Sequence, residues 1–100
     1  MAKIIVRKSD NKVQVLVPDT SDVTLTSTEC SYVKSSGIKT IPIDINSTTH
    51  TLVEGVTEPT KFHPNCFTYT DGTWAIIDGV VDSINAGRNL HDIPALEVEL

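Results

Sequence analysis

Cysteine is nearly missing from this 100-residue chain, which has only Cys30 and Cys66. Two thiols cannot make the disulfide framework that staples many small secreted domains, so each reads as a small hydrophobe in a reducing compartment. A single Cys30–Cys66 bridge stays open as the alternative. Aromatic residues are scarce at 5%. The core must therefore be assembled from Ile, Val and Leu, and a core that thin makes help from neighbouring subunits an expectation. Basic residues are also few: eight Lys and Arg stand against thirteen Asp and Glu, for a net charge of −5. They are scattered among the acids, with the Lys3 to Lys12 stretch interrupted by Asp10, so no concentrated cationic surface is available to a phosphate backbone. No nucleic-acid partner is accordingly expected, and the acidic balance reads as serving solubility.

Long apolar runs are absent as well. None approaches the roughly 18 residues of a membrane helix, and the opening Met1-Ala2-Lys3-Ile4 carries no apolar stretch of the kind a secretory signal needs. The expectation is a chain that neither spans nor anchors to a membrane and stays in the cytoplasm where it is made. On that reading the Asn46-Ser47-Thr48 sequon is a polar turn.

What is present points to a sheet protein. Hydrophobic residues at 39% and charged residues at 21% lie outside the range of disordered chains, and the length suits one domain, residues 1–100. Eight Ser and thirteen Thr give the chain a hydroxyl-rich character, and Thr favours strands. Lys3-Ile4-Ile5-Val6-Arg7-Lys8, the turn-like Ser9-Asp10-Asn11-Lys12 and Val13-Gln14-Val15-Leu16-Val17 read as a hairpin that ends at Pro18-Asp19. A loop centred on Asp10-Asn11 would pair Lys8 with Val13, Val6 with Val15 and Ile4 with Val17. Asp22 to Thr28 begins with period-two alternation and predicts a third strand. After the loop Lys34-Ser35-Ser36-Gly37, the stretch Ile38-Lys39-Thr40-Ile41-Pro42-Ile43-Asp44-Ile45 predicts an edge strand, since Pro42 cannot donate to a ladder. Residues 46–64 read as a long connection, apart from the short Thr51-Leu52-Val53-Glu54.

The sharpest local signal is Phe67-Thr68-Tyr69-Thr70-Asp71-Gly72-Thr73-Trp74-Ala75-Ile76-Ile77. Asp-Gly between alternating segments selects a two-residue type I′ turn, which places Tyr69 opposite Trp74 and Phe67 opposite Ile76. A short helix over 79–86 follows, with Asp78 as its cap and Gly87 as its stop. Leu96, Val98 and Leu100 alternate with glutamates and predict a final strand. The fold class is therefore mainly β: a small antiparallel β-sandwich or barrel-like domain built from hairpins, with one short helix near the C-terminus.

Signatures of catalysis are missing. There is no Gly-x-Ser-x-Gly elbow, and the five glycines are dispersed and form no phosphate cradle. His50, His63, His91 and the two cysteines match no closed zinc spacing. Asp78 and Asp82, four apart, could act as paired carboxylates, but capping and turn formation explain them more simply. No catalytic residue, cofactor or metal is expected.

The segments Lys3 to Val13 and Phe67 to Asp78 resemble those of small tailed-bacteriophage proteins: a strand-turn-strand that opens almost at residue one, and a later aromatic hairpin closed by Asp-Gly, on a short, acidic, threonine-rich chain. The resemblance covers about a quarter of the sequence. It implies a non-enzymatic virion component such as a head-decoration, neck or tail-adaptor subunit, present in symmetric copies, bound to other virion proteins and found in the host cytoplasm before assembly. A tail-fibre assembly chaperone is the alternative, with a small metal-binding or hydrolytic enzyme behind it. The expected partner-binding residues are Ile41 and Ile43 on the proline-marked edge, and Leu96, Val98 and Leu100 on the terminal strand, where unpaired backbone could add to a neighbour's sheet. The competing reading pairs both segments inside their own domain.

Overall fold

Six residues at the start of the chain, Ala-Lys-Ile-Ile-Val-Arg, form β1 (Ala2–Arg7), the middle strand of a three-stranded sheet. The computed structural model describes residues 1–34, 37–41 and 45–100, with residues 34 and 38–41 described by their backbone. Beside β1 lie β2 (Val13–Pro18) and β6 (His50–Val56), both antiparallel to it. A second antiparallel sheet has the order β3 (Val23–Leu25), β4 (Cys30–Lys34), β5 (Gly37–Ile41). The third is the hairpin β7 (Phe67–Thr70) and β8 (Thr73–Ile76), and α1 (Val80–Asn89) follows. Of the described residues 42% are strand and 11% helix, so the chain is mainly β with one short C-terminal helix, as expected from its sequence.

The first hairpin forms, in a different register from the one expected. Ile4 pairs with Leu16 and Ile5 with Val15, after which Val6 pairs with Val13. The turn lies one residue nearer the N-terminus because Arg7 closes it. The Arg7 N–H donates to the Lys12 carbonyl (2.9 Å), and its guanidinium grips the Asp10 carboxylate at 3.0 and 2.6 Å. Asn11 takes the left-handed conformation, φ 59°, that Asn tolerates better than most residues. A one-residue slip alone would turn every following side chain to the wrong face. Gln14 prevents this by bulging out of the ladder, so that Val13 and Leu16 both join the side of β1 that carries Ile4 and Val6.

The same device recurs in β6, where sequence reading leaves only a four-residue fragment in a long connection. Ile4 pairs with Val53 but Ala2 pairs with Val56, and the extra residue is accommodated by Gly55 at φ 68°. The bulge brings Val56 onto the face of Ile4 and Val6, and these residues with Val13 form the core cluster. The opposite face of β1 is covered too, since Ile5 is only 1% exposed. Burial of both faces explains why β1 reads as an apolar run with little alternation.

The Asp71-Gly72 hairpin has the expected register, with Phe67 opposite Ile76 and Tyr69 opposite Trp74. Both turn residues have positive φ, 49° and 83°, as a type I′ turn requires. The hairpin sits over the core cluster, and Phe62, Phe67, Tyr69 and Trp74 pack together with centroid separations of 5.2 to 6.3 Å. It is tied to the turn before β2 by the Tyr69 N–H to Asn11 carbonyl bond (3.0 Å), and the loop that leads into it is tied to β2 by the Asn65 N–H to Val13 carbonyl bond (3.0 Å).

Three further expectations need correction. The third strand is cut to Val23–Leu25, because the Thr26 N–H donates to the Glu29 carbonyl (2.8 Å) and closes a turn at Ser27-Thr28 that carries no glycine or asparagine to announce it. The returning strand, β4, goes unrecognised in sequence. The helix is not capped by Asp78: its N-cap is Gly79 in the left-handed region, with no side-chain cap bond. Nor does Gly87 end it, as glycine inside a helix costs only about 1 kcal/mol. The terminator is Asp92 at φ 53°, with the Ile93 N–H bonded to the Arg88 carbonyl and the Asp92 N–H to that of Asn89, a Schellman arrangement without glycine.

The predicted terminal strand is not formed. Asn85 replaces a strand partner: its side-chain oxygen accepts the Leu96 N–H (2.6 Å) and its side-chain nitrogen donates to the Leu96 carbonyl (3.2 Å). Beyond it, a single bridge joins Glu99 to Lys61, with the two N–H to carbonyl bonds at 3.0 and 3.1 Å.

Candidate functional site

The described residues singled out from sequence lie on separate elements. Ile41 ends β5, an outer strand of its sheet, where it pairs with Cys30; Ile43 lies outside the described residues. Leu96 and Val98 are half-buried in the tail that docks on Asn85 and Lys61, whereas Leu100 is 56% exposed. The tail's backbone is thus partly used within the chain, and its alternation is an inward apolar side with outward glutamates. Glu97 meets Lys61 at 2.7 Å.

The groups with chemical potential are held in structural roles. Cys66 is fully buried, with the His63 Nδ1 3.7 Å from its sulfur. Burial pushes its thiol pKa up, as it does for Cys30, and a thiol that resists ionisation is a poor nucleophile and a poor ligand. Both cysteines are free. Buried His50 engages the Thr49 hydroxyl through Nδ1 at 2.6 Å and the Gln14 side-chain oxygen through Nε2. The Gln14 amide then donates to the Asn65 side chain (3.0 Å). This chain of bonds locks the bulge of β2 to the start of β6 and to the loop before β7. Asp78 and Asp82 are exposed, and no group of three or more His, Cys, Asp or Glu is placed to hold a metal ion among the described residues. No described helix is long and apolar enough to cross a membrane.

What the structure adds is a surface around the second hairpin. Beneath the Asp71-Gly72 turn lies an open groove of about 470 Å³. Val6, Val53 and Tyr69 supply its apolar lining, and Lys8, Asn11, Thr51 and Asp71 its polar rim. Lys8 is engaged there, donating to the Ser47 carbonyl at 2.9 Å. An apolar floor with a mixed rim suits a side chain of an incoming polypeptide better than a reacting group that needs a matched acid and base.

The same hairpin presents a second feature, the outer edge of β8. In a two-residue hairpin the pairs Thr70–Thr73 and Thr68–Ala75 exchange the ladder bonds, so Trp74 and Ile76 direct their N–H and C=O groups away from β7. None of these four groups has a hydrogen-bond partner among the described residues. Ile76 is 38% exposed, and Thr73 and Ala75 are exposed on the other face. Sequence reading missed this edge because the hairpin signal shows that two strands pair and is silent on whether a third joins them; the absence of any charge between Thr73 and Ile77 was the available clue. No family model, curated protein or solved structure matches the chain.

Proposed function

We propose that this chain is a non-enzymatic structural or accessory subunit of a tailed-bacteriophage particle, a head-decoration, neck or tail-adaptor component that works by docking onto other virion proteins and onto copies of itself. The observation that carries this reading is the outer edge of β8, where unpaired backbone and uncharged side chains coincide. Exposed edges of that kind normally either carry protective charges or receive a partner strand. The two hairpins on which the phage resemblance rests both form, each closed by a tight turn with positive φ. The free cysteines fit assembly in a reducing host cytoplasm before incorporation.

The test is quantitative mass spectrometry of purified particles of the phage that encodes the chain. The polypeptide is expected in fixed stoichiometry to the major virion proteins. Its presence during assembly and absence from finished particles would replace this role with that of an assembly chaperone.

A further inference from the structure

Every outer edge in the described sheets except one is blocked or defended. The outer side of β2 is met at its first residue, where the Asn65 N–H bonds the Val13 carbonyl, and the strand ends at Pro18, which has no N–H to offer. Strand β3 is only three residues long. Strand β5 has Lys39 in its sequence and precedes Pro42. Strand β6 contains Glu54 and the left-handed Gly55 of its bulge. Charge, proline, brevity and bulges are the devices that stop edge-to-edge pairing. Strand β8, Thr-Trp-Ala-Ile, is one residue longer than β3 and has no charge, proline or bulge within it.

Its ends, by contrast, are acidic. Asp71 precedes the strand and Asp78 follows it; both are exposed, and neither is in an ion pair among the described residues. A second copy of the chain added antiparallel to β8 brings the Asp71 end of one molecule to the Asp78 end of the other, like charge against like at both ends. A segment with a cation at each end meets an opposite charge at both.

We infer that β8 receives an extended segment of a different polypeptide, uncharged and β-branched at its centre and flanked by Lys or Arg, which adds antiparallel to Trp74 and Ile76. This rests on the docking role proposed above and names the chemistry of its partner. The strand register is set by backbone bonds to Trp74 and Ile76, and partner choice by the two aspartates, whose influence fades as salt shortens the Debye length.

The test uses the full chain, labelled with nitrogen-15, and two synthetic peptides, Lys-Val-Thr-Val-Thr-Val-Lys and the same sequence with Glu at both ends. The lysine-flanked peptide is expected to protect the Trp74 and Ile76 amides from solvent exchange and the glutamate-flanked one to leave them unprotected. The double variant Asp71→Asn, Asp78→Asn is expected to weaken the first peptide roughly fivefold, the size of two exposed ion pairs. Ile76→Pro removes one outward N–H without touching the β7 ladder and is expected to abolish binding; Ala75→Lys, on an exposed face, serves the same purpose should the proline disturb the hairpin. Equal protection by both peptides overturns the charge preference and leaves edge docking standing. Protection of Trp74 that rises with protein concentration alone, together with a dimer in light scattering, overturns the inference in favour of a second copy. Binding of neither peptide overturns it too, while the particle measurement still decides the docking role by itself.

Discussion

Tyr69 and Trp74 face each other across the hairpin with ring centroids 5.2 Å apart and planes inclined by 66°, and the Trp74 indole N–H donates to the Thr57 carbonyl at 2.9 Å. One side chain therefore ties β8 both to its own hairpin and to the end of β6.

Replacing Trp74 separates these contributions. Trp74→Ala is expected to lower unfolding stability by about 3 kcal/mol, from loss of the aromatic packing over the core cluster. Trp74→Phe keeps most of the packing and loses the indole donor, at about 1 kcal/mol. Urea unfolding followed by circular dichroism measures both; equal costs would mean that the hydrogen bond and not the packing dominates.

Two glycines are expected to respond with opposite signs. Gly72 sits at φ 83°, and a Cβ there would meet the Tyr69 hydroxyl only at an ordinary 4.0 Å. Gly72→Ala should cost about 1–2 kcal/mol through backbone strain alone. Gly87 lies inside α1, with nothing within 4 Å of a new Cβ. Gly87→Ala should add about 1 kcal/mol. Thermal or urea unfolding of the two variants gives the signs directly.

Asp10 carries the clearest pH dependence. The Arg7 guanidinium holds its carboxyl down to about 2. A depressed carboxylate stabilises the fold above its unfolded pKa, about 3.9, and the contribution disappears as pH falls through its folded value near 2. The size of the effect is small because the pair is partly solvated. An NMR titration should find Asp10 ionising near 2 in wild type, and Asp10→Asn should loosen the turn that sets the first hairpin's register. An Asp10 that titrates near 4 would remove the clamp from the explanation.

Asn85 is expected to matter more than its position on a lightly packed helix suggests. Asn85→Ala leaves the Leu96 N–H and C=O without their partners, both at part-buried positions. Loss of exchange protection at the Leu96 amide, with the β7–β8 amides unaffected, is the expected outcome. Unchanged protection at Leu96 would mean that the Lys61–Glu99 bridge holds the tail by itself.

Local chemistry was legible wherever a few adjacent residues decide a conformation. Asp71-Gly72 announces its turn because only residues tolerant of positive φ fit there, and the Tyr69–Trp74 pairing follows from the turn length. The Ser27-Thr28 turn carries no such residue, and β4 was lost with it. Gly87 misled because glycine permits a helix end without requiring one, whereas Asp92 reached the left-handed region that ends α1.

The sequence by itself determined a mainly β chain, its opening and aromatic hairpins and the composition of a thin aliphatic core, because hydrophobic alternation and turn chemistry act over a handful of residues. Tertiary structure decided that β6 joins β1 from more than forty positions away, that Gln14 and Gly55 bulge to keep Val13, Leu16 and Val56 in the core, and that Asn85 takes the tail from any sheet. It also decided which edge stays open. An edge is defined by the strand that does not arrive beside it, and that depends on how the whole chain is arranged in space.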